Sequence, residues 1–488
     1  MIAPETSIRV LRFYLGGKWE EASGRALHPV RNPATGRVIA QVPYATAEDI
    51  DRAARLAHAA FLKWREAPVV ERVQVLHRYK EVLEKHAEEI ARVLSTENGK
   101  TLDDARGSVR RAIQMVEVSC GMPSLMQGYA LENVARGIDC QTIRQPLGVC
   151  AGITPFNFPA MVPMWMFPFA IACGNSFILK PSEKTPLTPT RTAELLEEAG
   201  IPSGVYSLVH GGKEAVDALL DHPLVRAVSF VGSTPVAKYI YETAAAQGKR
   251  VQALGGAKNH LVVMPGADLD KTVEAIIGSA FGAAGERCLA GSVLVPVGQV
   301  AEPLLELLVK RVRALRVGDG LAQDTDMGPL ITAQHRDRVL RYIEKGVAEG
   351  ARPLCDGREL ARQRQEGYFV GPTIFDHVTA GMTIASEEIF GPVLSVIRVQ
   401  SLEEAIALVN SSAYGNAASI FTADGKAARH YASRVETGMI GINIGVAAPM
   451  AFFPFSGWKQ SFFGDLHAHG RDAISFYTEQ KVIMSRWF

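Results

Sequence analysis

Residues 147–179 read LGVCAGITPFNFPAMVPMWMFPFAIACGNSFIL, 33 positions without a charged side chain. An uncharged run of that length is long enough to span a bilayer. It is also broken by Pro155, Pro159, Pro163, Pro168 and Gly174, and carries Asn157 and Asn175. Backbone so interrupted would leave polar groups unsatisfied in lipid. The stretch therefore reads as buried protein interior: a strand at VCAGITP, a proline-entered helix at FPAMVPMWMFPFAIA, and a second strand at SFILKPS.

Extending from that unit, the same alternation continues. A helix through TAELLEEAG leads to a strand at VYSLVHG, a helix at EAVDALLDH and a strand at AVSFVG. PVAKYIYETAAAQG is a helix and VQALGG a fifth strand. Five strands alternating with four helices predict a parallel sheet covered on both faces, an α/β fold. Upstream, residues 12–44 carry short apolar runs between Gly, Asn and Pro, which read as strands and turns. From Ala47 to about Gln127 apolar residues recur every three or four positions, a helical period. After Gly256 the alternation restarts with HLVVMP, a long helix running through Cys288, SVLVPV, another helix, and loops to FVGPTIF. Residues 394–421 read as strand, helix and strand, completing a second α/β domain. The C-terminal AISFYTEQKVIMSRWF reads as strand with an apolar edge.

Composition narrows the function. A net charge of +1 gives no reason to expect nucleic acid or an anionic membrane as partner. The six cysteines show neither CxxC pairs nor metal-ligand spacing, and no HExxH occurs, so a metal site is not expected. A chain of 488 residues needs no disulfide staples, and free thiols suit a reducing compartment. The opening MIAPETSIRVLRFYLGG lacks the apolar core and cleavage site of a signal peptide. The expected location is the bacterial cytoplasm.

Open α/β sheets bind ligands beyond the carboxyl ends of their strands. In VGSTP, Gly232 and Ser233 stand between strand and helix, where they either cap the helix or offer amides to a pyrophosphate. In KPSEKTP, Lys180 and Glu183 either form a solvated turn or hold ribose hydroxyls. A carboxylate there disfavours the extra phosphate of NADP and points to NAD. Asn157, in TPFNFP, is a neutral donor in apolar surroundings: it either ties down a loop or stabilises an oxyanion. Cys288 lies in FGAAGERCLAG. Its neighbours are small enough to leave room for a substrate, and Arg287 is expected to favour the thiolate.

TPFNFP, KPSEKTP, FVGSTPVAKYI, LGGAKNH, GERC, EEIFGP and FYTEQKV occur in the order and approximate spacing of the NAD-dependent aldehyde dehydrogenase superfamily, which the chain resembles from about Phe13 to Ile483. The resemblance implies an aldehyde dehydrogenase-like fold: a Rossmann-type cofactor domain over 1–253, a catalytic α/β domain over 254–450, and a return to the cofactor domain with a C-terminal oligomerisation strand over 451–488. Arm strands near 130–148 join subunits into a homodimer or homotetramer. By the same resemblance Cys288 is the nucleophile, and Asn157 with the Cys288 backbone N–H forms the oxyanion hole. Lys180 and Glu183 hold the adenosine ribose, Ser233 the pyrophosphate and Glu388 the nicotinamide ribose, with Phe390 packing nearby. Thr154, Phe156, Ser182 and Gly232 complete the cofactor contacts. Ala237 stands where many members have glycine.

One departure bears on mechanism. Hydrolytic members carry a glutamate before LGG that activates water, and here that position is Ala253. General-base help is worth about 10²- to 10⁴-fold, so water is left a poor acceptor and a thiol a better one. Coenzyme A is the natural candidate; Glu286 and Glu388 are the carboxylates that could replace the missing base. Ala253 with AKNH, GERC, GPTIFD and APMAFFPFSGWKQSFFGDLHAHG resembles the branch of CoA-acylating methylmalonate-semialdehyde dehydrogenases, malonate-semialdehyde dehydrogenases of inositol breakdown included. That resemblance assigns Arg111 and Arg287 to the substrate carboxylate, which a bidentate guanidinium suits. It implies NAD as cofactor, CoA as co-substrate and propionyl-CoA or acetyl-CoA as product. A hydrolytic aldehyde dehydrogenase is the nearer rival, disfavoured by Ala253. A non-catalytic nucleotide-binding protein is disfavoured by intact Cys288, Asn157, Lys180 and Glu388.

Overall fold

In the computed structural model residues 8–21 and 26–488 are described; the signal-peptide reading falls partly outside them. The uncharged stretch at 147–179 lies at the centre of the larger sheet. Strand Val149–Ile153 pairs in parallel with Ser176–Lys180 on one side and with Val225–Val231 on the other. Tyr206–Leu208 and Arg250–Leu254 extend the sheet in parallel outward from these. All five residues of the first two strands are buried, which fits their unbroken apolar sequence. Antiparallel edge strands close the sheet: Phe462–Gly464 on one side, Phe13–Leu15 and Lys18–Glu20 on the other. Among the described residues no helix is long and apolar enough to cross a membrane.

The proline-rich segment differs from a single helix. It forms two short ones, Met161–Met164 and Phe167–Ala172, separated at Trp165 and Met166. Pro163 and Pro168 each remove a backbone donor and crowd the preceding turn, so one continuous helix is not available. The helical region upstream is Ala47–Trp64, Val69–Lys85, Ala87–Asn98 and Leu102–Cys120. The last of these starts at Thr101, whose hydroxyl accepts from Asp104 N.

A second sheet of seven strands runs in the order 352–355, 373–376, 393–396, 291–296, 259–263, 417–421, 439–442. Only the first of these is antiparallel to its neighbour. Here too one expectation fails. The helix before the cysteine, Leu269–Ala280, stops eight residues short of it, and residues 282–285 form a tight turn. Ala283 and Ala284 sit at φ 49° and 53°, and Gly285 at φ 73°, a left-handed path no α-helix follows. A Cβ on Gly285 would run into the Gly391 carbonyl. Between 313 and 373, read as loops, a sixteen-residue helix Ala333–Ala348 appears.

The third sheet has three antiparallel strands: Ala130–Ala135, Ile138–Pro146 and Thr478–Arg486. The C-terminal strand begins later than its sequence suggests, because residues 470–476 are helical. Tyr129, Leu131, Val482, Met484 and Trp487 are exposed on or beside this sheet.

Candidate active site

Strands Val149–Ile153 and Val225–Val231 are neighbours whose following segments leave in different directions, the switch point where such sheets bind ligands. A cavity of about 780 Å³ opens there. The first sheet contributes Thr154, Phe156, Asn157, Lys180, Ser182 and Glu183, together with Gly232 and Ser233. Cys288, Glu388 and Phe390 come from the second half of the chain. The cavity thus gathers all the residues expected of the catalytic and cofactor site. Arg111 and Arg287 are not among its walls.

The walls suit a dinucleotide. Ser233 occupies the N-cap of helix Thr234–Ala246, yet its side chain makes no capping bond. That leaves a hydroxyl and a helix N-terminus facing the cavity, an arrangement that receives a phosphate. The buried Thr154 hydroxyl has no hydrogen-bond partner among the described residues. Lys180 Nζ donates to the Gly211 carbonyl at 2.7 Å and lies 3.9 Å from the Glu183 carboxylate. Burial lowers its pKa, with Glu183 opposing. Glu183, more than a third exposed, keeps free lone pairs for hydroxyls. Ser182 accepts from Lys184 N, fixing the turn between the two.

Glu388 is held by the Ala257 N–H, which donates to Oε1 at 2.8 Å. It approaches the chain so closely that a Cβ on Gly256 would collide with its carboxylate. Burial raises the Glu388 pKa, against the opposing pull of Lys258 and Arg338. Phe390, at φ 59°, meets the Phe156 ring edge-on at 5.9 Å. Its carbonyl faces His335 Nε2 at 2.7 Å.

Cys288 is set by its backbone. Its carbonyl accepts from Asn259 Nδ2 at 2.9 Å and from Asn416 Nδ2 at 2.8 Å. Asn157 Nδ2 donates to the Glu286 carbonyl at 3.0 Å, which leaves its other N–H for a ligand. Arg287 favours the thiolate in direction, as expected, but too weakly to set the outcome. Burial first, then the Glu388 charge, push the Cys288 thiol up to about 12. Arg287 is the weakest of the influences lowering it, for its charge is committed to an ion pair with Asp104. Its other amino group donates to Gly278 O at 2.9 Å.

The two candidate carboxylates separate clearly. Glu286 is buried, its Oε1 accepting from Ile331 N at 3.2 Å, with His335 Nε2 3.6 Å away. Burial pushes its pKa up to about 8. It does not line the cavity, whereas Glu388 does. Arg111 lies on helix Leu102–Cys120, reaching Ala448 O and Met450 Sδ. Asp104, the partner of Arg287, is on the same helix.

A match to the aldehyde dehydrogenase family covers residues 19–483. The chain belongs to that family. Among curated relatives, malonate-semialdehyde dehydrogenase 2 of Geobacillus kaustophilus is 52% identical over 99% of this chain and 100% of its own. Malonate-semialdehyde dehydrogenase of Halalkalibacterium halodurans is 53% identical, covering 98% of each. Among solved structures, a putative methylmalonate-semialdehyde dehydrogenase of Sinorhizobium meliloti complexed with NAD superposes with a TM-score of 0.97 at 47% identity, covering 99% of both chains. A methylmalonate-semialdehyde dehydrogenase of Oceanimonas doudoroffii gives 0.96 at 49%, covering 98% of both.

Within this family framework, four residues escaped the sequence reading. Asn259 and Asn416 anchor the nucleophile, and Tyr44 stacks on His28 at 3.7 Å where it lines the cavity. Lys100 is buried, donates from Nζ to the Asn157 carbonyl at 2.6 Å and sits 4.1 Å from the Phe158 ring centre. Asn259 stood inside LGGAKNH and was legible as a motif. The others lie in segments whose only signal was helix or strand.

Proposed function

We propose that this chain oxidises malonate semialdehyde or methylmalonate semialdehyde with NAD and transfers the acyl group, after loss of carbon dioxide, to coenzyme A. The observation that carries the reading is Ala253. It lies at the end of strand Arg250–Leu254, fully buried, where a hydrolytic member presents its glutamate. A methyl group at that position gives water none of the help the glutamate would, which favours a thiol, an acceptor that needs less help. The relatives named for these aldehydes support the substrate class.

In this mechanism Cys288 loses its thiol proton to solvent and Sγ adds as the thiolate to the aldehyde carbon. The free N–H of Asn157 and the backbone N–H of Cys288 hold the oxyanion, donors worth about 2.7–4 kcal/mol each in comparable sites. NAD, when bound, would supply the acceptor for the hydride lost as the thioester forms. Thr154, Phe156, Lys180, Ser182, Glu183, Gly232, Ser233, Glu388 and Phe390 would hold it. Arg111 and Arg287 lie outside the cavity walls; the family resemblance assigns them to the substrate carboxylate, a role for which Arg287 would have to share its charge with Asp104. Carbon dioxide leaves from the carbon beside the thioester carbonyl, and the carbanion takes a proton. The thiol of CoA then displaces Cys288.

The sheet memberships support a division at about residues 253 and 450 into cofactor domain, catalytic domain and C-terminal return. The exposed apolar side chains of the three-stranded sheet support its role as an arm joining a homodimer or homotetramer. A bacterial cytoplasmic location fits the same reading.

The test is NADH formation from both semialdehydes with and without CoA. A burst of about one NADH per site, followed by turnover only when CoA is present, is the expected result. Rapid steady turnover in CoA-free buffer would overturn the reading.

A further inference from the structure

Loss of the glutamate before LGG leaves an unanswered question: what takes the proton from the incoming thiol? Free thiols are mostly protonated at neutral pH, and transfer needs the thiolate. The cavity walls contain two carboxylates, Glu183 and Glu388. Both are assigned to ribose hydroxyls, but Glu183 stands beside Lys180 and is not among the charges that act on Cys288. Glu388 lines the same cavity as Cys288, and its charge disfavours the Cys288 thiolate. Glu286 is two positions from Cys288 in sequence but accepts from Ile331 N and is absent from the walls.

From this placement we infer that Glu388 is the general base and then the general acid of acyl transfer to the thiol, a role that rests on the CoA-acceptor reading above. One oxygen is fixed by Ala257 N; the other, Oε2, points over Gly256 with no hydrogen bond to the described chain. That oxygen takes the thiol proton as the CoA sulfur bonds to the thioester carbon. The oxyanion forms between the Asn157 amide and the Cys288 N–H. As the bond from carbon to Cys288 Sγ breaks, Glu388 returns the proton to Sγ. Nothing is oxidised or reduced; Glu388 ends as the carboxylate it began, and Cys288 passes from thioester to free thiol.

Two features of the site suit this cycle. Burial raises the Glu388 pKa toward that of a thiol, which is where a general base works best. Cys288 is a poor thiolate in the free site, its pKa being raised to about 12, so its departure gains from a proton supplied as it leaves. The Ala257 N–H and the charges of Lys258 and Arg338 oppose that rise, and Tyr414 also stands in the field of Glu388.

The experiment isolates deacylation from cofactor binding. Cys288 is acetylated with p-nitrophenyl acetate in the absence of NAD, excess reagent is removed, and acetyl transfer to added thiols is timed. Glu388→Gln is expected to slow transfer to CoA by about tenfold or more, the lower part of what a general base supplies. Transfer to trifluoroethanethiol, a thiol of lower pKa that needs less help, is expected to slow less than threefold. Glu388→Asp, which keeps a carboxylate, is expected to recover part of the CoA rate. Equal slowing with both thiols, or none with either, would overturn the role of Glu388. If the wild-type acetyl-enzyme loses its acetyl group no faster with CoA than in buffer, the acceptor reading itself fails, a separate result.

Discussion

The side-chain amide of Asn157 donates to the backbone carbonyl of Glu286 at 3.0 Å. This one bond joins the loop after the central strand of the first sheet to the loop that carries the nucleophile of the second. It fixes the amide plane, so that the remaining N–H has a defined direction. The oxyanion hole is therefore assembled by docking of two sheets and not by either alone.

Asn157→Ala removes both that tie and the donor. The expected loss in the rate of the NADH burst is about 10²- to 10³-fold, the range for deleting one oxyanion donor. Stopped-flow absorbance measures it. A burst within threefold of wild type would mean that the Cys288 N–H suffices.

The raised Cys288 pKa gives a signed pH dependence. A thiol whose pKa is pushed up to about 12 holds less thiolate at neutral pH than an ordinary cysteine. Alkylation of Cys288 by iodoacetamide without NAD should keep accelerating beyond pH 9 with no plateau. Glu388→Gln removes one raising charge, so its alkylation at pH 8 should be faster than wild type. Rates followed by mass spectrometry decide both points.

Gly256→Ala places a methyl group against the Glu388 carboxylate. Overpacking of this kind costs about 1–3 kcal/mol. Because the carboxylate is what moves, the expected effect is weaker NAD binding, about tenfold or more in Kd by fluorescence titration. The melting temperature should change little.

Lys100 and Lys258 are buried, and burial brings each pKa down to about 7. The unfolded chain holds both protons up to about pH 10.4, so between pH 7 and that value it binds more protons than the native state. Stability from these groups therefore rises with pH across that window, by at most about 1.4 kcal/mol per pH unit per lysine. Urea unfolding at pH 7 and pH 9 measures the slope. Lys100→Met should flatten it, and should also slow the NADH burst, since the Asn157 carbonyl loses its 2.6 Å partner.

Much of the first sheet was legible because its strands are unbroken apolar runs between turn residues, and because parallel strands buried on both faces look like that. The segment around Cys288 was not. A helical period ran through it, but the helix ends at Ala280 and Ala283, Ala284 and Gly285 turn left-handed, with Gly285 packed so close to the Gly391 carbonyl that no Cβ fits there. The helix Ala333–Ala348 was missed because its many charged residues hide a narrow apolar face.

Sequence alone determined the chemistry on offer: a cysteine among small residues, a neutral amide between prolines, a carboxylate at a strand end, and alanine where a base would stand. Those are properties of residue type and order, which the chain carries unfolded. What the tertiary structure decided is which charges reach the cysteine. Arg287, its neighbour in sequence, spends its charge on Asp104 from a distant helix, while Glu388, a hundred positions away, adds to burial in raising the thiol's proton affinity. Electrostatic influence falls with distance through space and rises with burial. Adjacency along the chain fixes neither.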